Sequence, residues 1–132
     1  MSAQPDHFGF TKLLVVDLDK SAAFYRDVFG LQETARIESD IAGRALDEIL
    51  FSPTGDGAAT FVLLKFRDAT VASSSEVILG FVTTNVEALT ARALAAGGTV
   101  MREALDYPEL HVKVAFVTDV EGHVIEVVQQ MG

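Results

Sequence analysis

The sequence predicts an α+β fold built from two βαβββ modules in tandem. Segments 10–30 (FTKLLVVDLDKSAAFYRDVFG) and 78–98 (ILGFVTTNVEALTARALAAGG) share one plan: an apolar strand, an Asp or Asn, an amphipathic helix and a final glycine. A second pair of segments, FVLL at 61–64 and IEVV at 125–128, repeats near the end of each half. Internal repeats of this kind indicate two similar supersecondary units in one chain.

The elements of the first module follow in order. Residues 10–16 are apolar and β-branched, which is typical of a strand. Asp17 and Asp19 offer carboxylates to the free N–H groups of a helix start, and Gly30 offers a left-handed residue where that helix can end. Candidate strands then cover 31–39, 45–52 and 59–66, and the turn sequence PTGDG at 53–57 joins the last two.

The second module repeats this plan after a polar connection. Residues 67–76, which include Ser73–Ser75, are typical of a linker. We predict strands at 77–83, 99–104, 112–118 and 123–129, and a helix at 86–96 that stops at Gly97 and Gly98. We expect one domain over 1–132, with modules at 8–66 and 77–132, because half of this chain alone buries too little apolar surface.

Composition narrows the class of partner. The net charge of -9 argues against nucleic acid, whose phosphates need clustered Lys and Arg, and favours a cationic ligand. No apolar run is long enough to cross a bilayer, and the first ten residues lack a signal-peptide pattern. The absence of cysteine excludes disulfides and thiolate catalysis, and it favours a cytoplasmic location.

Two motifs resemble the vicinal oxygen chelate superfamily, which includes glyoxalases, extradiol dioxygenases, fosfomycin-modifying enzymes and bleomycin-sequestering proteins. The first is VVDLDKSAAFYRDVFGL at 15–31 and the second is DVEGHVIE at 119–126. The resemblance covers nearly the whole chain and implies curved mixed sheets that form a half-open, barrel-like cleft. It also implies a homodimer, in which modules of two chains pair. It does not choose a chemistry, because one fold hosts all these activities.

The resemblance locates the positions at which a metal would be held. In metal-dependent members, four His, Glu or Gln side chains, two from each sheet, converge on one divalent ion. These positions correspond to Phe10, Val62, Ile78 and Glu126. Three of the four cannot coordinate a metal, and one carboxylate alone does not hold a transition ion against water. We therefore expect no bound metal and no cofactor.

The three histidines do not replace the missing ligands. Side chains alternate between the two faces of a strand, so a ligand displaced by an odd number of residues points the wrong way. His7 precedes Phe10, and His123 precedes Glu126, by an odd number of residues. His111 precedes its strand, near the expected mouth of the pocket. The simplest interpretation is that all three are solvated or help to close turns.

Glu126 is the residue on which a function would depend. The resemblance implies that it points into the concave face of the sheets, with Lys12 as its nearest candidate partner. The pocket is expected to be lined by Phe10, Lys12, Leu14, Val62, Leu64, Phe66, Ile78, Tyr107, His111, Val114, Phe116 and Val124. Glu126 could hold a ligand amine or hydroxyl, act as a general base, or be an inherited position satisfied by Lys12 or water.

Four functions stay open at this point. The first is metal-independent binding of a small hydrophobic or cationic molecule, because an oily surface with few polar groups is typical of a ligand pocket. The second is a metal-dependent glyoxalase-like lyase or isomerase, or a dioxygenase. The third is a metal-free enzyme with Glu126 as base and Lys12, Tyr107 or His111 as acid. The fourth is a structural subunit, for which the sequence offers no support. Segments 40–48 and 103–111, expected as loops with the latter a candidate lid, would set the pocket's shape.

Overall fold

The two predicted βαβββ modules are present in the computed structural model, which describes residues 8–72 and 76–132. The first module contains β1 (Phe10–Leu14), α1 (Leu18–Phe29), β2 (Glu33–Ile41), β3 (Arg44–Phe51) and β4 (Thr60–Phe66). The second contains β5 (Ile78–Thr83), α2 (Val86–Ala95), β6 (Thr99–Tyr107), a short 3-10 helix (Pro108–Leu110), β7 (Val112–Thr118) and β8 (Val124–Gln130). The α+β fold class is therefore confirmed. No helix in the described ranges is long and apolar enough to cross a membrane.

Each module forms its own four-stranded mixed sheet. The strand orders are β1-β4-β3-β2 and β5-β8-β7-β6, and in each sheet the first strand runs parallel to the last one in sequence. The remaining neighbours are antiparallel. Strands β1 and β5 are therefore edge strands, which leave one row of backbone groups unpaired within the chain.

Both helices begin at the residues that the sequence predicts. The Asp17 side chain accepts a hydrogen bond from the Lys20 amide at 3.0 Å, and the Asn85 side chain accepts one from the Ala88 amide at 3.0 Å. Gly30 ends α1 with a φ of 70°, in the left-handed region where glycine carries no steric penalty. Asp19 is not a cap, and its carboxylate instead lies 2.7 Å from the Arg36 guanidinium.

The hydrophobic core lies between the helices and one face of each sheet. Tyr25, Phe24 and Val28 of α1 are buried there with apolar side chains of both sheets. Phe29 of α1 stacks on Phe81 of β5, with ring centroids 3.8 Å apart. Because the core covers the helix-facing side of each sheet, the opposite faces of the two sheets are left free to form a site.

A turn of the second module caps the helix of the first. Oxygens of the Glu121 carboxylate accept hydrogen bonds from the Val16 amide at 3.0 Å and the Asp17 amide at 2.8 Å. Ser21 adds a longer hydroxyl contact at 3.4 Å. A negative charge at this position also matches the positive end of the helix dipole. Glu121 thus completes the start of α1, although it follows Asp17 by 104 residues in the sequence.

Beside this cap, Asp119 is the centre of a buried polar network. Its Oδ2 accepts a hydrogen bond from the Tyr25 hydroxyl at 2.7 Å and lies 2.8 Å from Nδ1 of His123. Its Oδ1 accepts from the amides of Glu121 and His123, at 2.9 and 3.0 Å. The other ring nitrogen of His123 lies 3.1 Å from the Leu14 carbonyl oxygen of β1. The network therefore ties the β7–β8 turn to two elements of the first module.

The protonation of His123 follows from these neighbours. Both ring nitrogens face acceptors, a carboxylate and a carbonyl, so both partners are satisfied only by the imidazolium. Burial by itself would lower the pKa of His123, but the hydrogen bond and charge of Asp119 outweigh it, and the pKa lies above its ordinary value. For Asp119, burial by itself would raise the pKa, but hydrogen bonds from His123 and Tyr25 hold the pKa of this carboxyl below its ordinary value.

We expect the free energy of unfolding to fall as the pH rises from the ordinary histidine pKa of about 6.5 into the alkaline range. A histidine whose pKa is higher in the folded state contributes stability that is fully present below its unfolded pKa. That stability is lost as the pH rises through the folded pKa. Urea denaturation across this range measures the effect, and His123→Gln should flatten it. The exposed His111 provides the control, because His111→Gln should leave the pH dependence unchanged; equal slopes for both variants would contradict the assignment.

The structure corrects several predicted segments. β6 extends to Tyr107 instead of stopping at 104, and the predicted loop at 103–111 is strand followed by the 3-10 helix. The segment 40–48 is also not a loop: β2 and β3 meet there in a tight hairpin, which turns at Ala42 and Gly43 with φ angles of 50° and 86°. His7 and the linker residues Ser73–Ser75 lie outside the described residues.

Candidate functional site

The candidate pocket residues lie on the sheet faces that point away from the helices, and the two sheets divide them. The first sheet carries Phe10, Lys12, Leu14, Val62, Leu64 and Phe66, and the second carries Ile78, Tyr107, Val114, Phe116, Val124 and Glu126. The cavity at Glu126 is lined by second-module residues alone. A single chain therefore presents two half-sites rather than one pocket that contains all of these residues.

The face of the first sheet contains an ion pair that the sequence did not predict. Lys12 of β1 lies with its Nζ 2.5 Å from Oε2 of Glu48, a buried residue of β3. The contact lacks the angles of a hydrogen bond, so this buried oxygen has no directed donor among the described residues. Within the chain, Lys12 therefore pairs with Glu48 and not, as was predicted, with Glu126.

The other first-sheet residues differ in exposure. Val62 and Leu64 are buried, while Phe10 and Leu14 on the edge strand β1 are exposed. Phe66 is half-buried, and the Arg44 guanidinium lies 3.8 Å from the centroid of its ring. Glu48 was the residue missed on this face. Its place between Leu46 and Leu50, in a strand with alternating apolar residues, was the signal that its side chain points with theirs.

The second sheet places two opposite charges on either side of one aromatic ring. Glu126 of β8 pairs in register with Phe116 of β7, which pairs in turn with Arg102 of β6. Gly80 of β5 is the neighbour of Glu126 on the other side and leaves open space beside it. Glu126 is half-buried in the chain, less enclosed than expected, and no side chain of the described residues hydrogen-bonds its carboxylate.

A cavity of about 330 Å³ lies on this face. It is lined by Arg102, Tyr107, Leu110, Val112, Val114, Phe116, Glu126 and Val128. The Tyr107 hydroxyl accepts a hydrogen bond from the Arg102 guanidinium at 3.0 Å, and this guanidinium lies 4.8 Å from the centroid of the Phe116 ring. The cavity thus has an apolar floor with a cation at one end, a carboxylate at the other and a phenol at the rim.

Three candidate residues of the second module do not line this cavity. Val124 lies further along β8, and His111 is an exposed residue with a φ of 55° at the end of the 3-10 helix. Ile78 is exposed on the edge strand β5 and lines a separate cleft of about 660 Å³, to which both modules contribute. Of the predicted lid pair, Tyr107 reaches the cavity at Glu126 and His111 is not among its lining residues.

The side chains present do not fit a four-ligand metal centre. Phe10, Val62 and Ile78 offer no donor atom, whichever chain supplies each half-site, so Glu126 is one ligand without companions. His123 is engaged with Asp119 and Leu14. Across 8–72 and 76–132, no group of three or more His, Asp or Glu side chains is arranged to hold a metal ion.

The fold defines a class of protein: two tandem βαβββ modules, each with a sheet face that points away from the helices. The family model of the Glyoxalase/Bleomycin resistance protein/Dioxygenase superfamily matches residues 4–127. The chain belongs to this superfamily. A probable lactoylglutathione lyase from Vibrio parahaemolyticus is 30% identical over 122 residues, which are 90% of this chain and 87% of that protein.

Solved structures agree on the fold. A glyoxalase family protein from Bacillus cereus matches with a TM-score of 0.80 at 17% identity, over 98% of this chain and all 100% of that one. The trypanothione-dependent glyoxalase I of Leishmania major matches with a TM-score of 0.74 at 19% identity, over 95% of this chain and 87% of that one. At these identities the likeness concerns the fold and not the chemistry.

Proposed function

We propose that the protein binds a small, largely apolar molecule on the concave face of the β5–β8 sheet and needs no metal to do so. The observation that carries this proposal is the set of residues at the four ligand positions, three of which are Phe10, Val62 and Ile78. The apolar floor of the cavity supports this proposal, because the free energy falls when a ligand displaces water from an apolar surface. Glu126 would orient the ligand by accepting a hydrogen bond.

The test is a thermal-shift screen of small apolar and cationic aromatic compounds against protein treated with EDTA. A ligand present at roughly 100 times its Kd stabilises the folded state by about 2.7 kcal/mol, so the melting temperature should rise. The same rise is expected without EDTA. Glu126→Gln should weaken binding of compounds that bear a hydrogen-bond donor, and Glu103→Gln, an exposed residue of β6, is the matched control. A screen without any stabilising compound would contradict the proposal.

A lyase is the second candidate, and the similarity to the probable lactoylglutathione lyase favours it. It would require metal ligands that the four positions do not supply. The lyase would be supported by near-stoichiometric Mn, Fe, Ni or Zn in protein purified without chelators, together with lactoylglutathione lyase activity. This result would contradict the proposal of metal-independent binding. Turnover that is independent of metal and abolished by Glu126→Gln would instead identify Glu126 as a general base.

We also propose a homodimer that brings the two half-sites of different chains together. The edge strands expose large apolar side chains on the site face: Phe10 is 56%, Ile78 61% and Val82 71% exposed. Unpaired edges with apolar side chains are rarely left open to water in a soluble protein. A second copy would cover them and enclose Glu126. A cytoplasmic location, suggested by the cysteine-free sequence, stays a prediction.

Val82→Lys should convert the dimer into a monomer, because a lysine at this edge would place a charge in the apolar contact. Light scattering at micromolar concentration should show twice the mass of one chain for the natural protein and the mass of one chain for the variant. Val71, 81% exposed and outside the strands, provides the matched control, and Val71→Lys should remain dimeric. A natural protein that is monomeric at this concentration would refute the assembly.

A further inference from the structure

Arg102 differs from the other arginines of the chain in its contacts. The guanidinium groups of Arg26, Arg36, Arg44 and Arg67 lie against carboxylates, and Arg92 donates to the Val28 carbonyl. Among the described residues no carboxylate lies within 4.0 Å of the Arg102 guanidinium. In a chain with 19 acidic and 10 basic residues, such a cation is an available anion receptor at one end of the cavity.

The structure holds this guanidinium in place. It donates to the Tyr107 hydroxyl at 3.0 Å and lies over the Phe116 ring at 4.8 Å, so two contacts fix its orientation. A planar guanidinium has five N–H donors and can bind a carboxylate through two parallel hydrogen bonds. One contact to Tyr107 leaves donors for such a pair. The site is therefore preorganised for a planar anion at the β6 end.

Glu126 provides the opposite chemistry at the other end. Its carboxylate only accepts hydrogen bonds, and Gly80 leaves room beside it. Because Phe116 separates Glu126 from Arg102 in register, their backbones lie two strand spacings apart, about 10 Å. Both side chains line the cavity of about 330 Å³, which is large enough for one ring. Val114, Phe116 and Val128 also line it and would form the floor under that ring.

We propose that the ligand is an aromatic or similarly compact apolar molecule with a carboxylate at one end, bound by Arg102, and an amine or hydroxyl at the other, bound by Glu126. This inference rests on the proposed function and adds the polarity of the ligand. It also revises the expectation of a cationic ligand: the net charge of -9 acts at long range, while the cavity itself presents both signs.

Four benzene derivatives of similar size test this polarity: para-aminomethylbenzoate, para-methylbenzoate, para-methylbenzylamine and para-xylene. Titrations followed by NMR chemical shifts should rank the first compound tightest and para-xylene weakest. Arg102→Gln should weaken both carboxylates roughly tenfold and leave the other two unchanged, since a charged hydrogen bond contributes on that order. Glu126→Gln should do the same for the two amines. Arg26→Gln, on the exposed surface of α1, is the control and should change none of the four affinities.

The outcomes separate this inference from the proposed function. Equal affinity for all four compounds would overturn the inference and leave a simple apolar binding site. A preference for para-methylbenzylamine that Arg102→Gln does not alter would also overturn it, in favour of a purely cationic ligand. Binding of none of the four at millimolar concentration would overturn both proposals.

Discussion

Asp119→Ala is expected to lower the free energy of unfolding by about 3–5 kcal/mol, the range measured when one partner of a buried charged pair is removed. Asp119 is only 2% exposed, and it accepts hydrogen bonds from Tyr25, His123 and two backbone amides. The variant leaves these donors buried without partners. In the natural protein, burial and the Asp119 carboxylate keep the pKa of Tyr25 far above its ordinary value, so the phenol is a protonated donor that needs this acceptor. Urea denaturation followed by circular dichroism measures the loss.

Asp27→Ala is the control for this prediction. Asp27 also bears a carboxylate, which is exposed on α1 and lies 3.7 Å from the Arg26 guanidinium. Its replacement should change stability by no more than about 0.5 kcal/mol, as for other surface substitutions. If both variants lost similar amounts of stability, the buried network would not be the cause.

Gly98→Ala is expected to cost about 3 kcal/mol, because it would overpack a closed junction. A Cβ atom at this position would overlap the Thr118 carbonyl oxygen and would lie 2.9 Å from Cε1 of Phe24. Thr118 belongs to β7, so its backbone cannot retreat without disturbing the sheet. Thermal unfolding should show a clearly reduced melting temperature. Gly97, which the sequence groups with Gly98, has a different role, since its φ of 99° supplies the left-handed turn.

Gly80→Ala separates steric overlap from the general effect of adding a methyl group. Gly80 lies within β5, has no positive φ, and a Cβ there would meet no atom within 4 Å. Stability should therefore stay the same or rise slightly, since glycine weakens a strand. A loss at Gly80 equal to that at Gly98 would show that the overlap with Thr118 is not decisive.

The sequence predicted the elements of the fold because their signals are local. Asp17, Gly30 and Asn85 mark helix ends through contacts with residues close by in the chain, and alternating apolar residues mark the strands. The bounds of β6 were less accurate. Its pairing with β7 has two register shifts, which a regular alternation does not predict.

The contacts between distant segments could not be predicted in this way. Glu121 reads as a turn residue, and nothing near it indicates that it caps a helix of the other module. The choice of Glu48 as the partner of Lys12 depends on how β1, β4 and β3 pair across the first sheet. Arg102 is one charged residue among many in the sequence, and only the register of β6 against β7 places it beside Phe116.

The cap at α1 has a consequence for how the protein is made. A ribosome synthesises the chain from its N-terminus, and the first helix emerges long before the residue that satisfies its amides. Glu121 follows Asp17 by 104 residues, so the nascent first module carries an unfinished helix start and an exposed sheet face until the β7–β8 turn has been synthesised. The first module can therefore complete its helix only once the turn of the second has been synthesised, and we expect the two modules to finish folding together.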